Sequence, residues 1–245
     1  NLGVSISVDY LIEEINIARG SLSKKTEFLV KYCNVKQTSS QAWLRTADVE
    51  KACGKALDFK DFENCYCCAG IDLSRTTDLS AAVAVIEKND DIYVFAKFFL
   101  PAERIDEATE RDGVPYRQYI QKGWLQPSGD NFIDYQDCFN WFVSLVNEHK
   151  IYPLQVGYDR YSAQYLVQDM KSFGFHMDDV FQGWNLSPVL LEAEGLLRDK
   201  TLRLGKNNLL KAHFLNVALK QNTENRKYQP VKIDPRCHID GFVAV

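Results

Sequence analysis

The stretch "AGIDLSRTTDLSAAVAVI", residues 69–86, decides how the chain is read. An apolar run ends on Asp72, crosses Ser74, Arg75, Thr76, Thr77 and Asp78, and resumes at Ala81 as far as Ile86. Extended one way, the first run becomes "CYCCAGID", a central-strand candidate. Extended the other way, "SAAVAVIEK" and "DIYVFAKFFL" follow it, separated only by Asn89 and Asp90. That pair favours a tight hairpin turn, and Pro101 closes the third run. The spacing therefore predicts three successive antiparallel strands, the first of which finishes on a carboxylate.

A second apolar strand also ends on an aspartate. "DYQDCFNWFVSLVNEHK" is helical, with Phe139, Phe142, Leu145 and Val146 to one side, and it feeds "IYPLQVGYD", which closes on Asp159. Two helical segments follow, "YSAQYLVQDMKSFG", ended by Gly174, and "SPVLLEAEGLLRDK", with Ser187 as cap and Pro188 at its first position. "FHMDDVFQG" is a short strand, "NNLLKAHFLNVALKQN" a single helix and "YQPVKID" an extended piece. Residues 102–132 are polar and irregular, apart from one short helix around Tyr116, Tyr119, Ile120 and Trp124. "CHIDGFVAV" starts a final helix.

Residues 1–63 show no strand pattern and read as a helical preamble: one helix through Leu11, Ile12, Ile15 and Ile17 stopping at Gly20, a second over "SLSKKTEFLVKYCNV", and a third in "TSSQAWLRTADVEKACG". The expected division is 1–63 as linker or appendage and 64–245 as the main domain. The chain opens on Asn1 and closes on "GFVAV", which reads as a fragment of a longer protein.

At 245 residues, 46% hydrophobic and 25% charged, the composition is that of a globular chain. No apolar run reaches the ~18 residues a membrane span needs. The seven cysteines are odd in number and read as buried thiols of a reducing compartment. "CYCC" offers three thiols, but on alternating faces and with no second CxxC, so a zinc site is disfavoured. Charge is uneven. Between Gly195 and Arg236 ten Arg or Lys face three Asp or Glu, while residues 1–194 carry −10 of the net −4. That basic third is either a polyanion-binding surface or an ordinary solvated face.

Strand ends in a sheet with strand–helix–strand connections share one rim. Asp72 and Asp159 are therefore expected together, with Asp240 near the start of a third segment. Three carboxylates there call for hard divalent cations, Mg²⁺ or Mn²⁺, and a pair of such ions is suited to phosphodiester hydrolysis. Spacing alone leaves open whether the three meet, and a cap or turn role is the alternative for each. Asp78 and Asp234 read as turn or cap residues. His238, two positions before Asp240, does not share a helix face with it.

The blocks "GIDLSRTTDLSAAV", "VPYRQYIQKGWL", "VGYDRYSAQYLVQDM", "FQGWNLSPVLLEAEGLL" and "KIDPRCHIDGFVAV", in that order and spacing, resemble the C-terminal nuclease domain of the large terminase subunit of tailed bacteriophages. The resemblance implies a ribonuclease H/integrase-like α/β fold, a mixed sheet with three antiparallel strands followed by parallel strands and flanked by helices. It implies a divalent-metal-dependent endonuclease that cuts concatemeric double-stranded viral DNA with little sequence preference during genome packaging. Asp72, Asp159 and Asp240 match the catalytic aspartates that hold two Mg²⁺ or Mn²⁺ ions, a scheme needing no histidine base.

The resemblance also implies an ATPase region ahead of the nuclease. No GxxxxGK[ST] stretch exists here, so residues 1–63 match the tail of that region and no ATP turnover is expected. Implied partners are DNA, the ATPase domain, the portal protein and the small terminase subunit. The implied setting is the cytoplasm of the infected bacterial host, with transient docking at the procapsid portal. Candidate DNA contacts from the basic third are Arg203, Lys206, Lys211, Arg226, Lys227 and Lys232. Alternatives are a Holliday-junction resolvase or transposase-like nuclease of the same fold, or an inert packaging module.

Overall fold

The computed structural model describes residues 6–20, 28, 31–33, 43–74, 79–159, 164–222 and 225–245. The N-terminal part includes the helices α1 (Val8–Gly20) and α2 (Thr46–Ala52), and the strands β1 (Tyr66–Asp72), β2 (Ser80–Lys88) and β3 (Asp91–Leu100) follow. After them come α3 (Ile105–Asp112), α4 (Tyr116–Gln121), β4 (Leu125–Pro127), α5 (Tyr135–Asn147), β5 (Tyr152–Asp159), α6 (Gln164–Phe173) and β6 (Met177–Val180). The last part holds α7 (Ser187–Asp199), β7 (Leu202–Arg203), α8 (Asn208–Leu215), β8 (Val217–Gln221), β9 (Tyr228–Lys232) and α9 (Asp240–Val243).

The main sheet runs β4-β3-β2-β1-β5-β6, and β7 pairs with the far end of β3. The first three strands are antiparallel, while β5 lies parallel to β1 and β6 parallel to β5. The expected ribonuclease H-like mixed sheet is therefore present. Asn89 and Asp90 both take positive φ, 52° and 65°, the conformation a type I′ hairpin requires. β2 is apolar from Ala81 to Ile86 because both of its faces are covered there: Ala81, Ala82, Val83 and Ala84 are fully buried. On one face Val83, Phe98 and Leu100 pack with α2, α3, α7, α8 and α9. On the other, Ala82, Ile86 and Phe99 pack with α5 and α6.

Packing runs through the expected boundary at residue 63. Trp43, Leu44, Val49 and Ala52 belong to the first core and Phe62 to the second. The first helix spans Val8–Gly20 as read. Most of the second, "SLSKKTEFLVKYCNV", lies outside the described residues, as do Arg75, Thr76, Thr77 and Asp78.

Three local readings are corrected. Residues 207–222 are not one helix: α8 stops at Leu215, and Val217–Gln221 turns into β8, paired with β9. The Asn216 side chain, at that corner, donates to the His238 carbonyl at 3.1 Å, so tertiary hydrogen bonding overrides helical periodicity. Ser187 is the first residue of α7 rather than its cap. Its hydroxyl instead accepts the Tyr228 N–H at 3.1 Å. Residues 102–132 contain two helices and the edge strand β4, which their polarity hid.

Candidate functional site

The site forms at the rim where β1 and β5 end. Their parallel register slips by one residue between Cys67 and Cys68: Cys67 pairs with Pro153, but Cys68 pairs with Gln155. Beyond that bulge the ladder continues to Ile71 opposite Tyr158. The next step sets Asp72 beside Asp159 on neighbouring strands, whose axes lie ~4.8 Å apart. Without the slip Tyr158 would stand there, and Asp159 would be one position off and on the opposite face.

Side-chain alternation places Asp72 on the face of Gly70. A Cβ at Gly70 would run into the Ala244 carbonyl, so that face is the one α9 covers. The space over Gly70 is filled by backbone, and only glycine fits. Asp159 shares its face with Gly157 in the same way; Val156 and Tyr158 turn to the opposite core. Both carboxylates are half-buried.

Asp240 opens α9 and is buried. Next to it, Gly241 sits over the Phe98 ring so closely that a Cβ would clash. Phe98 is level with Ala81, and Ala81 with Asp72. The third aspartate thus lies on the same rim and face, roughly two strand spacings, ~10 Å, to the side. Among the described residues no three His, Cys, Asp or Glu side chains stand close enough to hold one metal ion. The structure sets Asp72 and Asp159 side by side and brings Asp240 to their rim, but not into one coordination sphere.

What holds Asp240 was not visible in the sequence. Its Oδ2 is 3.5 Å from His238 Nδ1 and 3.9 Å from His213 Nδ1. His238 Nε2 in turn meets Asp112 Oδ2 at 2.9 Å. The Asp112 carboxylate also accepts from the Tyr116 hydroxyl at 2.9 Å and from Arg111 Nε at 2.6 Å. His213 Nδ1 accepts the Gly241 N–H at 2.8 Å. That bond places any proton of the neutral ring on Nε2.

Electrostatics follow from this packing. Burial pulls His213 down to about 4, so it is neutral at pH 7. Burial also opposes charge on His238, but Asp240 and Asp112 on its two sides outweigh it and raise its pKa. Asp240 is pushed up by burial and brought below the ordinary carboxylate value by His238 and His213. The expectation that His238 and Asp240 do not share a helix face is beside the point, because the helix begins only at Asp240. The donors are all oxygens, as hard divalent ions require. In addition, Asp240 Oδ2 is buried with no hydrogen-bond partner. The residues therefore fit such ions. The seven cysteines are free thiols.

The six basic candidates scatter. Lys232 closes the β8–β9 pair opposite Val217, near enough for its charge to disfavour protonation of His213. Arg226 and Lys227 lie at the tip of that hairpin and are exposed. Arg203 makes a two-pronged ion pair with Asp91, at 3.0 and 3.2 Å. It is level with Tyr93, five positions and roughly 17 Å along β3 from Phe98. Lys211 pairs with Glu50 at 3.4 Å. Lys206 borders a separate cleft of about 590 Å³ at the outer edge of β3, with Lys97 and Lys122. Asp234 pairs with Arg236 at 3.1 Å, on the surface.

Comparison with known proteins identifies the family and the fold. The family profile described as "Terminase large subunit, endonuclease domain" matches residues 1–245. The large terminase subunit of Enterobacteria phage HK97 is 27% identical over 182 residues, covering 72% of this chain and 35% of that protein. The crystal structure of the HK97 large terminase superposes with a TM-score of 0.72 at 22% identity, covering 99% of this chain and 50% of that one. The large terminase nuclease of thermophilic phage G20c, solved with bound magnesium, gives 0.50 at 9% identity over 81% of this chain and 92% of that one. The chain thus spans a third to a half of the length of its HK97 relatives.

Proposed function

This chain belongs to the terminase large-subunit endonuclease family, and from that membership we propose that it cleaves double-stranded DNA by divalent-metal-assisted hydrolysis during viral genome packaging. The observation that carries the reading is the pair of aspartates, Asp72 and Asp159, level on adjacent parallel strands and facing the side on which Asp240 opens α9. The phage G20c nuclease was solved with magnesium, which supports the same choice of ion here.

In this reading Asp72, Asp159 and Asp240 hold two Mg²⁺ or Mn²⁺ ions. When bound, such ions supply an acidified water for attack on phosphorus and charge stabilisation for the leaving 3′ oxygen. The chain's own residues supply the rest. Asp240 arrives already ionised because His238 lies against it. His213, neutral and bonded to the Gly241 N–H, pins the first turn of α9. Lys232, with Arg226 and Lys227 on the same hairpin, offers phosphate contacts, which set position without reading sequence.

In the longer protein an ATPase domain, the portal and the small terminase subunit would bring DNA to this rim, in the host cytoplasm and at the procapsid. No ATP turnover is proposed for this fragment.

The test is cleavage of supercoiled plasmid with Mn²⁺, Mg²⁺ or EDTA by the chain and by Asp72→Ala, Asp159→Ala and Asp240→Ala. Metal-dependent nicking and linearisation lost in all three variants is the expected result. Cleavage that survives the substitutions would overturn the assignment.

A further inference from the structure

We propose that Asp112 and His238 are positioning residues that orient the Asp240 carboxylate as a cation ligand. The inference rests on the three-aspartate reading above and deepens it.

Asp112 ends α3, and its side chain is 1% exposed. An isolated carboxylate there would be strongly disfavoured. It is accommodated because Arg111, Tyr116 and His238 converge on it, each within 2.9 Å. His238, 126 residues later in the chain, bridges from Asp112 to Asp240. This carboxylate–imidazole–carboxylate chain has the form of the outer-shell partners that fix metal-binding side chains.

A polar network serving only to clamp α9 would be expected to satisfy its acceptors. This one ends on Asp240 Oδ2, which is buried with no hydrogen-bond partner. His238 Nδ1 stands 3.5 Å from it, beyond ordinary N–H···O range. The chain of contacts is closed at the Asp112 end and incomplete at the Asp240 end, which is the end that faces the rim. Asp112 and His238 together therefore limit where the Asp240 carboxylate can swing.

The experiment measures Mn²⁺ affinity of the 245-residue chain by calorimetry, with thermal unfolding recorded separately for each variant. Asp112→Asn keeps the size of the side chain and removes its charge. His238→Ala removes the bridge, and His238→Asn restores an N–H donor near the position of Nδ1. Asp112→Asn and His238→Ala should each weaken Mn²⁺ binding roughly 10–100-fold, with His238→Asn recovering part of the loss. Unchanged affinity in folded Asp112→Asn and His238→Ala would overturn the proposal. If Asp112→Asn does not fold, Tyr116→Phe removes one hydrogen bond to the same carboxylate. A several-fold loss then supports the proposal and unchanged affinity overturns it. Asp240→Asn separates the two levels of inference: if it binds Mn²⁺ as the parent does, the three-aspartate reading itself falls. If it loses binding while the Asp112 and His238 variants do not, only the positioning role falls.

Discussion

Asp72 and Asp159 are level on adjacent strands because β5 carries one more residue than β1 at the slip between Cys67 and Cys68. If these carboxylates hold a cation as proposed, the stability of the chain is linked to cation concentration. At a free Mn²⁺ level 100 times the dissociation constant, binding adds about 2.7 kcal/mol. Mn²⁺ should therefore raise the melting temperature of the parent chain by several degrees. It should raise that of Asp72→Asn or Asp159→Asn far less, and their cleavage rates should fall at least about 100-fold. Thermal unfolding with and without the ion measures the first effect, and plasmid nicking the second.

The close approach of Gly70 to the Ala244 carbonyl leads to a second prediction. Gly70→Ala forces α9 off the sheet, and overpacking of this kind costs about 1–3 kcal/mol. Urea unfolding should show that loss. Cleavage should fall more than the stability loss explains, since α9 carries Asp240.

Asp112 gives a pH signature. Burial raises its pKa, but Arg111, His238 and Tyr116 outweigh that and hold it below the ordinary 3.8. The folded chain thus binds this proton less readily than the unfolded chain. The resulting stability is fully present above about pH 4 and fades as pH falls through the depressed value. Asp112→Asn should be less stable at pH 7 by about 1.5–3 kcal/mol, the scale of hydrogen bonds to a charged group. Its stability should depend less on pH below 4, which denaturant melts from pH 2.5 to 7 will show.

DNA contact should divide the basic candidates. Lys232→Ala should weaken duplex binding several-fold and flatten the log–log salt dependence by about 0.9. Arg203→Ala should leave binding within about twofold, because that side chain is engaged with Asp91 at the far end of β3. Fluorescence anisotropy across a salt series distinguishes them.

Thiol chemistry reports on the core. Cys33 and Cys68 are exposed and should react with a disulfide reagent at once at pH 8. Cys53, Cys67 and Cys138 are buried and should stay silent until unfolding. Burial pushes the Cys67 thiol up to about 12, so only about 10⁻⁴ of it is thiolate at that pH. Rapid labelling of Cys67 in the folded chain would contradict the strand faces described for β1.

Much of this was legible in the chain. The three antiparallel strands and the Asn89–Asp90 turn follow from period and turn chemistry, which are local. So does the placement of Asp72 and Asp159 at strand ends. The bulge in β5 was not legible, because "YPLQVGYD" alternates without any break at Leu154. Nor was the switch at Asn216, where a hydrogen bond to the distant His238 carbonyl cuts a helical pattern short. The bridge from Asp112 to His238 joins residues 126 apart, and no spacing rule reaches that far. α3 stayed hidden because only Ile105 and Ala108 are buried along it.

Trp43 bears on how this unit connects to whatever precedes it. Its N–H donates to the Val217 carbonyl at 3.0 Å, its indole nitrogen to Glu194 at 3.1 Å, and its ring meets Phe242 edge-on at 5.8 Å. One residue thus fastens the incoming polypeptide to β8, to α7 and to the short helix that presents Asp240. Through the ring contact the incoming polypeptide is coupled to that helix, while β1 and β5 each lie between two neighbouring strands. Trp43 is therefore a joint between the segment that enters the fold and the element that carries the third aspartate.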